Sequence, residues 1–107
     1  MKIKEIEAFD AFMKHGTTKA AAETLGISQS MVSRLLIGLE DELGFALFKR
    51  TRNQLSPTSE AFLYHASVLR LMASIRDTQK DADAISNNQL GSVVVAAQPI
   101  FCDTFLL

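Results

Sequence analysis

The chain has 107 residues, 48% apolar and 21% charged, with a formal net charge of −1, proportions ordinary for a soluble globular protein. That length allows one small domain with an appendage, not two full domains, and the longest apolar runs fall well short of the ~20 residues of a membrane span. A charge sum this close to zero neither requires nor excludes a nucleic-acid partner, because the placement of charge matters more than its total.

The amino-terminal stretch MKIKEIEAF mixes charged and apolar residues and does not read as a signal peptide. Ile3, Ile6, Phe9 and Met13 recur three or four positions apart, with Phe12 beside them. This spacing predicts an amphipathic helix over Lys2 to His15, ended by Gly16. Thr17 and Thr18 are N-cap candidates for a second helix, Lys19 to Leu25. Gly26 suits a left-handed C-cap, and Ile27 is expected to plug the turn into the core. Ser28 is the next N-cap, opening a third helix from Gln29 to Leu43. Gly38 weakens that helix without breaking it, and Gly44 ends it. Two helices joined by the short turn Gly26-Ile27-Ser28 must cross steeply, which is a helix-turn-helix.

Beyond Gly44 the pattern shortens. FALFKRTRNQLSPT predicts two strands, Leu47–Arg50 and Gln54–Ser56, around a tip at Thr51–Asn53. Ser56 as N-cap and Pro57 at the first helical position then predict a helix to Ser86, roughly 45 Å long at ~1.5 Å per residue. It carries Phe62, Leu63, Ala66, Leu69, Met72, Ala73 and Ile75. This apolar surface is wider than one stripe, so it is expected to serve two partners: the body of its own chain and the same helix of a second copy.

SNNQLG, from Ser86, reads as a linker. SVVVAA, Ser92 to Ala97, reads as a strand buried on both faces, as in a parallel sheet. The sequence stops ten residues later, so it is expected to be a fragment of a longer protein or a truncated product. The single cysteine, Cys102, excludes an internal disulfide framework and fits a reducing compartment. It is expected to be a small buried apolar residue.

AAAETLGISQSMVSRLLIGLEDELGFALFKR, followed by LSPTSEAFL, resembles the N-terminal part of LysR-type transcriptional regulators. The likeness covers Ile3 to Ser86 and rests on an Ala-rich helix, S-Q-x-x-V-S-R, L-E-x-x-L-G, L-F-x-R and L-[ST]-P. GSVVVAA also resembles the first strand of that family's ligand-binding domain. Ser59 stands where the family usually has Gly, a change tolerated in a first helical turn. The resemblance implies a mostly α fold. A winged helix-turn-helix over residues 1–58 and a dimer-forming linker helix over 59–88 would precede the start of a truncated α/β effector domain over 89–107. It implies double-stranded DNA as partner and a homodimer, and leaves tetramers open in a full-length protein. A small-molecule effector would bind only the full-length protein, which would be cytoplasmic and not held in a membrane.

In a helix-turn-helix the start of the second helix enters the major groove. Here that places Gln29, Ser30, Met31, Ser33 and Arg34 against base edges. Gln suits adenine, Arg suits guanine or phosphate, and Met31 suits a thymine methyl. Ser28 reads as a cap alone. Thr18 and Lys19 can hold a phosphate at a helix N-terminus, although Thr18 also reads as a plain N-cap. No acid occurs from Thr24 to Leu39 or from Leu43 to Ser59. Glu40 lies about 16 Å beyond Gln29 along the helix, more than a Debye length of ~8–10 Å. The wing supplies Arg52 and Asn53 at its tip for backbone or minor groove. Arg50 has two readings, a DNA contact or an ion pair with Glu40 or Glu42. Phe62, Ala66, Leu69, Met72 and Ala73 are the expected dimer contacts.

His15 and His65 are isolated and lack metal-ligand spacing; His15 suits a helix C-terminus. QPIFCDTF, Gln98 to Phe105, follows a strand where open α/β sheets form ligand sites, but a fragment this short cannot close such a pocket. No acid–base pair, Gly-rich phosphate loop or Cys/His cluster is present, so no metal, cofactor or enzymatic activity is expected. A winged-helix module that binds protein and not DNA is the alternative.

Overall fold

The computed structural model describes residues 1–87. Its elements are α1 (Ile3–His15), α2 (Thr18–Leu25), α3 (Gln29–Leu43), β1 (Phe48–Thr51), β2 (Gln54–Pro57) and α4 (Ser59–Ser86). The described residues are mostly helical, with one small hairpin. The linker from Asn88 on, the strand at Ser92–Ala97, Cys102 and Gln98–Phe105 lie outside the described residues.

Helices α1, α2 and α3 pack on one another. The core of this body holds Ile6, Phe9, Phe12, Val32, Leu36, Leu39, Leu47 and Phe48. Burying each such large side chain contributes about 1.5–3 kcal/mol. From α2 only Ala21 and Ala22 are buried, so this helix meets its neighbours through methyl groups. The buried face of α1 differs from the expected stripe. Ile3 is exposed and Met13 half-buried, while Ala8 and Ala11 lie inside with the two phenylalanines.

The turn between α2 and α3 follows the expected chemistry. Gly26 sits at φ 70, in the left-handed region that favours glycine. The Ile27 N–H returns to the Ala22 carbonyl at 3.1 Å, and Ser28 Oγ accepts from the Met31 N–H at 3.1 Å. Ile27 itself does not plug the core; it is 36% exposed. The turn is closed by backbone hydrogen bonds and a serine cap, so it needs no apolar plug. Thr17, not Thr18, caps α2, its Oγ1 accepting from the Ala20 N–H at 3.0 Å. Gly38 has a packing reason: a Cβ there would lie 2.6 Å from Glu5 Oε2. Glu5 is buried on α1 and accepts from the Lys2 N–H at 3.1 Å.

The hairpin pairs Phe48 with Pro57 and Thr51 with Gln54. Its tip is therefore the two residues Arg52-Asn53, one shorter than expected, because Thr51 is still paired. Both tip residues have positive φ, 46 and 67, the pattern of type I′ turns, which match the twist of the strands. Pro57 is a strand residue, so the expected cap at Ser56 is also displaced. Thr58 caps α4: its Oγ1 accepts from the Ala61 N–H at 3.1 Å and donates to the Ala46 carbonyl at 2.9 Å.

Met1–Arg70 form a first compact unit, and a second begins at Leu71 within α4. Within the first unit, α4 turns Ala61, Tyr64, His65 and Val68 inward. His65 is not isolated. Its Nε2 lies 2.9 Å from Asp10 Oδ1, and Lys14 Nζ lies 3.0 Å from Asp10 Oδ2. Asp10 is 5% exposed.

Burial raises the Asp10 carboxyl, but the hydrogen bonds from His65 and Lys14 outweigh it and hold the group below its ordinary value of 3.8. The folded value is lower than the unfolded one. Its contribution to stability is thus complete above about pH 4 and is lost as pH falls through the folded value. Asp10→Asn should lower stability by about 1–3 kcal/mol at neutral pH, read from urea unfolding. The gap between wild type and variant should narrow below pH 4; a constant gap would exclude Asp10 as the titrating group.

Candidate nucleic-acid interface

Three segments far apart in sequence meet on one face. A cavity of about 500 Å3 is lined by Thr18 and Lys19 at the start of α2, Gln29, Ser30 and Ser33 at the start of α3, and Asn53 and Gln54 at the hairpin tip. Phe12, Gly16, Thr17 and Leu55 complete its walls. A neighbouring cavity of about 300 Å3 shares Thr18, Ser33, Asn53, Gln54 and Leu55 and adds Arg50 and Arg52. No acidic residue lines either one.

The electrostatics follow from the chain's local order. Neither α2 nor α3 has an acid in its first turn. The positive ends of two helices, capped by hydroxyls and not by carboxylates, therefore stand without a compensating acid beside Lys19, Arg50 and Arg52. Because Thr17 caps α2, the Thr18 hydroxyl is not occupied as an N-cap, and Thr18 lines both cavities. Ser28 caps α3 as expected, with its Oγ also 3.2 Å from Ser30 Oγ.

Eight of the ten expected contact residues line this face: Thr18, Lys19, Gln29, Ser30, Ser33, Arg50, Arg52 and Asn53. Two do not. Arg34 is exposed but lines neither cavity. Met31 lines a separate apolar groove with Lys4, Glu7, Leu25, Ile27 and Leu35. At 100° per residue, Met31 points about 160° from Ser33 around α3. Sequence reasoning missed Gln54, which lines both cavities. A two-residue tip sets Gln54 opposite Thr51, but Arg-Asn lacks the glycine that signals such a tip.

For Arg50 the ion pair is present, and the side chain stays on the shared face. Its Nη2 lies 3.9 Å from Glu40 Oε1, a loose and half-exposed pair worth little, and its side chain still lines the second cavity. The other oxygen, Glu40 Oε2, accepts from the Leu47 and Phe48 N–H groups at 2.8 and 3.0 Å. Glu42 instead pairs with the amino terminus.

The family model for bacterial regulatory helix-turn-helix proteins of the lysR family matches residues 3–61. The chain belongs to the LysR family. The regulatory protein NocR of Agrobacterium fabrum is 39% identical over 93 residues, 87% of this chain and 31% of NocR. The transcriptional activator protein LysR of Escherichia coli is 31% identical over 106 residues, 99% of this chain and 34% of that protein. The chain thus spans about a third of the length of these relatives. Among solved structures, the BenM DNA-binding domain in complex with benA site 1 DNA has a TM-score of 0.72. It is 25% identical, over 79% of this chain and 99% of that one. VV2_1132, a LysR family transcriptional regulator, has a TM-score of 0.67 at 28% identity, over 76% of this chain and 30% of that one.

In this LysR-family chain the tip geometry is itself open to test. Asn tolerates positive φ and Gly favours it, whereas a β-branched residue is strained there. Asn53→Val should cost about 1–2 kcal/mol in urea unfolding, and Asn53→Gly should cost almost nothing. Equal losses would show that Asn53 acts through a contact and not through its backbone.

Proposed function

We propose that this chain is the DNA-reading part of a LysR-type transcriptional regulator. Residues 1–58 read the duplex and residues 59–88 pair two copies. α3 enters a major groove through Gln29, Ser30 and Ser33, with Arg34 beside them, and the Arg52-Asn53 tip follows the backbone or the minor groove. Thr18 and Lys19 hold a phosphate at the start of α2. The observation that carries this reading is the acid-free face where both helix starts and the hairpin tip converge. The solved complex of the BenM DNA-binding domain with benA site 1 DNA supports DNA over protein as the partner.

Two copies pair through Phe62, Ala66 and Leu69, continued by Met72 and Ala73. Phe62 is 60% and Leu69 43% exposed, large apolar surfaces that a second helix would cover. A two-fold pair of recognition helices calls for an inverted-repeat site. A full-length protein would add an effector-binding domain and act in the cytoplasm. Among the described residues no helix is long and apolar enough to cross a membrane.

Selection of bound duplexes from a random pool, followed by salt titration, tests the reading. Affinity should fall steeply with salt, and Arg52→Ala should reduce the log–log slope by about one. Gln29→Ala should cost about 1–3 kcal/mol on the selected site and relax one position of each half-site. An equal loss on all sequences would reduce Gln29 to a backbone contact. Salt-insensitive binding, or none to any duplex, would leave a protein-interaction module. Separately, Leu69→Asp should shift sedimentation from dimer to monomer; an undiminished dimer would place the pairing face elsewhere.

A further inference from the structure

The first three turns of α4 carry two stripes. Ala61, Tyr64, His65 and Val68 follow the i, i+3, i+4, i+7 rule and face the helical body. Phe62, Ala66 and Leu69 form the second stripe, and all three are exposed. At 3.6 residues per turn the stripes lie about 120° apart around the helix axis. One rigid helix links them, so whatever fixes the azimuth of the first stripe also fixes the direction of the second.

Two of the four residues of the first stripe cannot fix an azimuth well, and a third, Tyr64, meets Phe9 and Phe45 through ring packing. Ala61 and Val68 are small, and apolar burial is non-directional. Such a seam tolerates a small roll of the helix at little cost. The His65–Asp10 contact does not. A hydrogen bond of 2.9 Å loses strength steeply when its geometry is disturbed. The carboxylate is buried, so leaving it without its partner is costly. Both ends are also held. Lys14 fixes the second Asp10 oxygen, and the His65 ring stands edge-on to Phe9, with centroids 5.5 Å apart and planes at 89°. Position 65 shares its face with buried Ala61 and Val68, yet a histidine occupies it.

We propose that His65, held by Asp10, is a positioning residue that sets the half-site spacing this regulator accepts. It touches no DNA. It locks the roll of α4 on the body, and thereby the angle at which the Phe62–Ala66–Leu69 stripe presents each recognition helix to its two-fold mate. Spacing is a geometric property of the dimer, whereas base preference belongs to Gln29 and its neighbours on α3. The two preferences are therefore separable by mutation. This inference rests on the reading of the chain as a dimeric DNA-binding module.

The test uses the whole chain and a duplex pool in which the selected half-sites are held constant and their separation varies in steps of one base pair. Wild type should prefer one separation over its neighbours by about tenfold or more. His65→Ala should reduce that preference to about threefold or less, with the same half-site bases recovered in a second, fully random pool. His65→Gln, which keeps a donor for Asp10, should restore most of the spacing preference. Should His65→Ala fail to give a cooperative unfolding transition, His65→Leu, which fills the space without a donor for Asp10, decides by the same comparison. An unchanged spacing preference in the folded variant overturns the proposal, as does a changed half-site with spacing intact. If wild type binds no duplex, the DNA-binding reading falls and this one with it. If wild type binds as a monomer with no spacing preference, only the dimer reading and this inference fall.

Discussion

The ring of Phe48 holds the molecule's working parts in register. It stands edge-on to Phe12 at 4.8 Å and to Phe9 at 6.0 Å, so the base of the hairpin is anchored in the aromatic core of α1. Its backbone N–H is taken by Glu40 from α3, and its strand partner Pro57 leads directly into the Thr58 cap of α4. One residue thus joins three helices to the hairpin. A β-hairpin of four residues per strand is marginal on its own. This anchor, with the Leu47 N–H on Glu40 beside it, helps to hold Arg52 and Asn53 beside the start of α3.

The same arrangement answers how a chain of net charge −1 presents a face suited to a polyanion. The acid nearest the hairpin is Glu40. One of its oxygens is saturated by two backbone N–H groups, and the other faces Arg50. Its charge is spent in closing the turn that precedes β1. Glu42 is occupied by the amino terminus and Asp10 by Lys14 and His65. These three acids are engaged in tying elements together, while Arg52 and the starts of α2 and α3 face the acid-free side. Local order, not the sum, decides the field.

Much of this was legible in the sequence, and the physical reason is range. Gly26, Ser28, Gly16 and Gly44 act on backbone within a turn of themselves, so capping rules place the helix ends to within a residue or two. Val32, Leu36 and Leu39 are spaced for one face and are buried together. What failed depended on partners elsewhere in the chain. Pro57 has the right angle for a first helical turn, but pairing with Phe48 keeps it in the strand. Ile27 and Met31 are apolar and sit in a motif, yet they turn to a groove beside Lys4 and Glu7. His65 looked isolated because its partner is 55 positions away. Gln54 went unnoticed because the Arg-Asn tip adopts positive φ without the glycine that announces it.

Polar groups in this chain mark places where direction matters more than affinity. Apolar burial alone would keep α4 on the body, and methyl groups alone would keep α2 against its neighbours. Neither would fix an angle. At three junctions a directional contact appears: Thr58 before α4 to the Ala46 carbonyl in the loop before β1, Glu40 to the start of β1, and Asp10 to His65 across α1 and α4. The two part-buried ones cost desolvation that a well-packed apolar pair would avoid. A domain selected only to be stable has no use for them. In the role proposed for this chain, a reader of a rigid duplex has to hold its contact groups within hydrogen-bonding tolerance on two half-sites at once, and directional contacts at the junctions would supply that constraint.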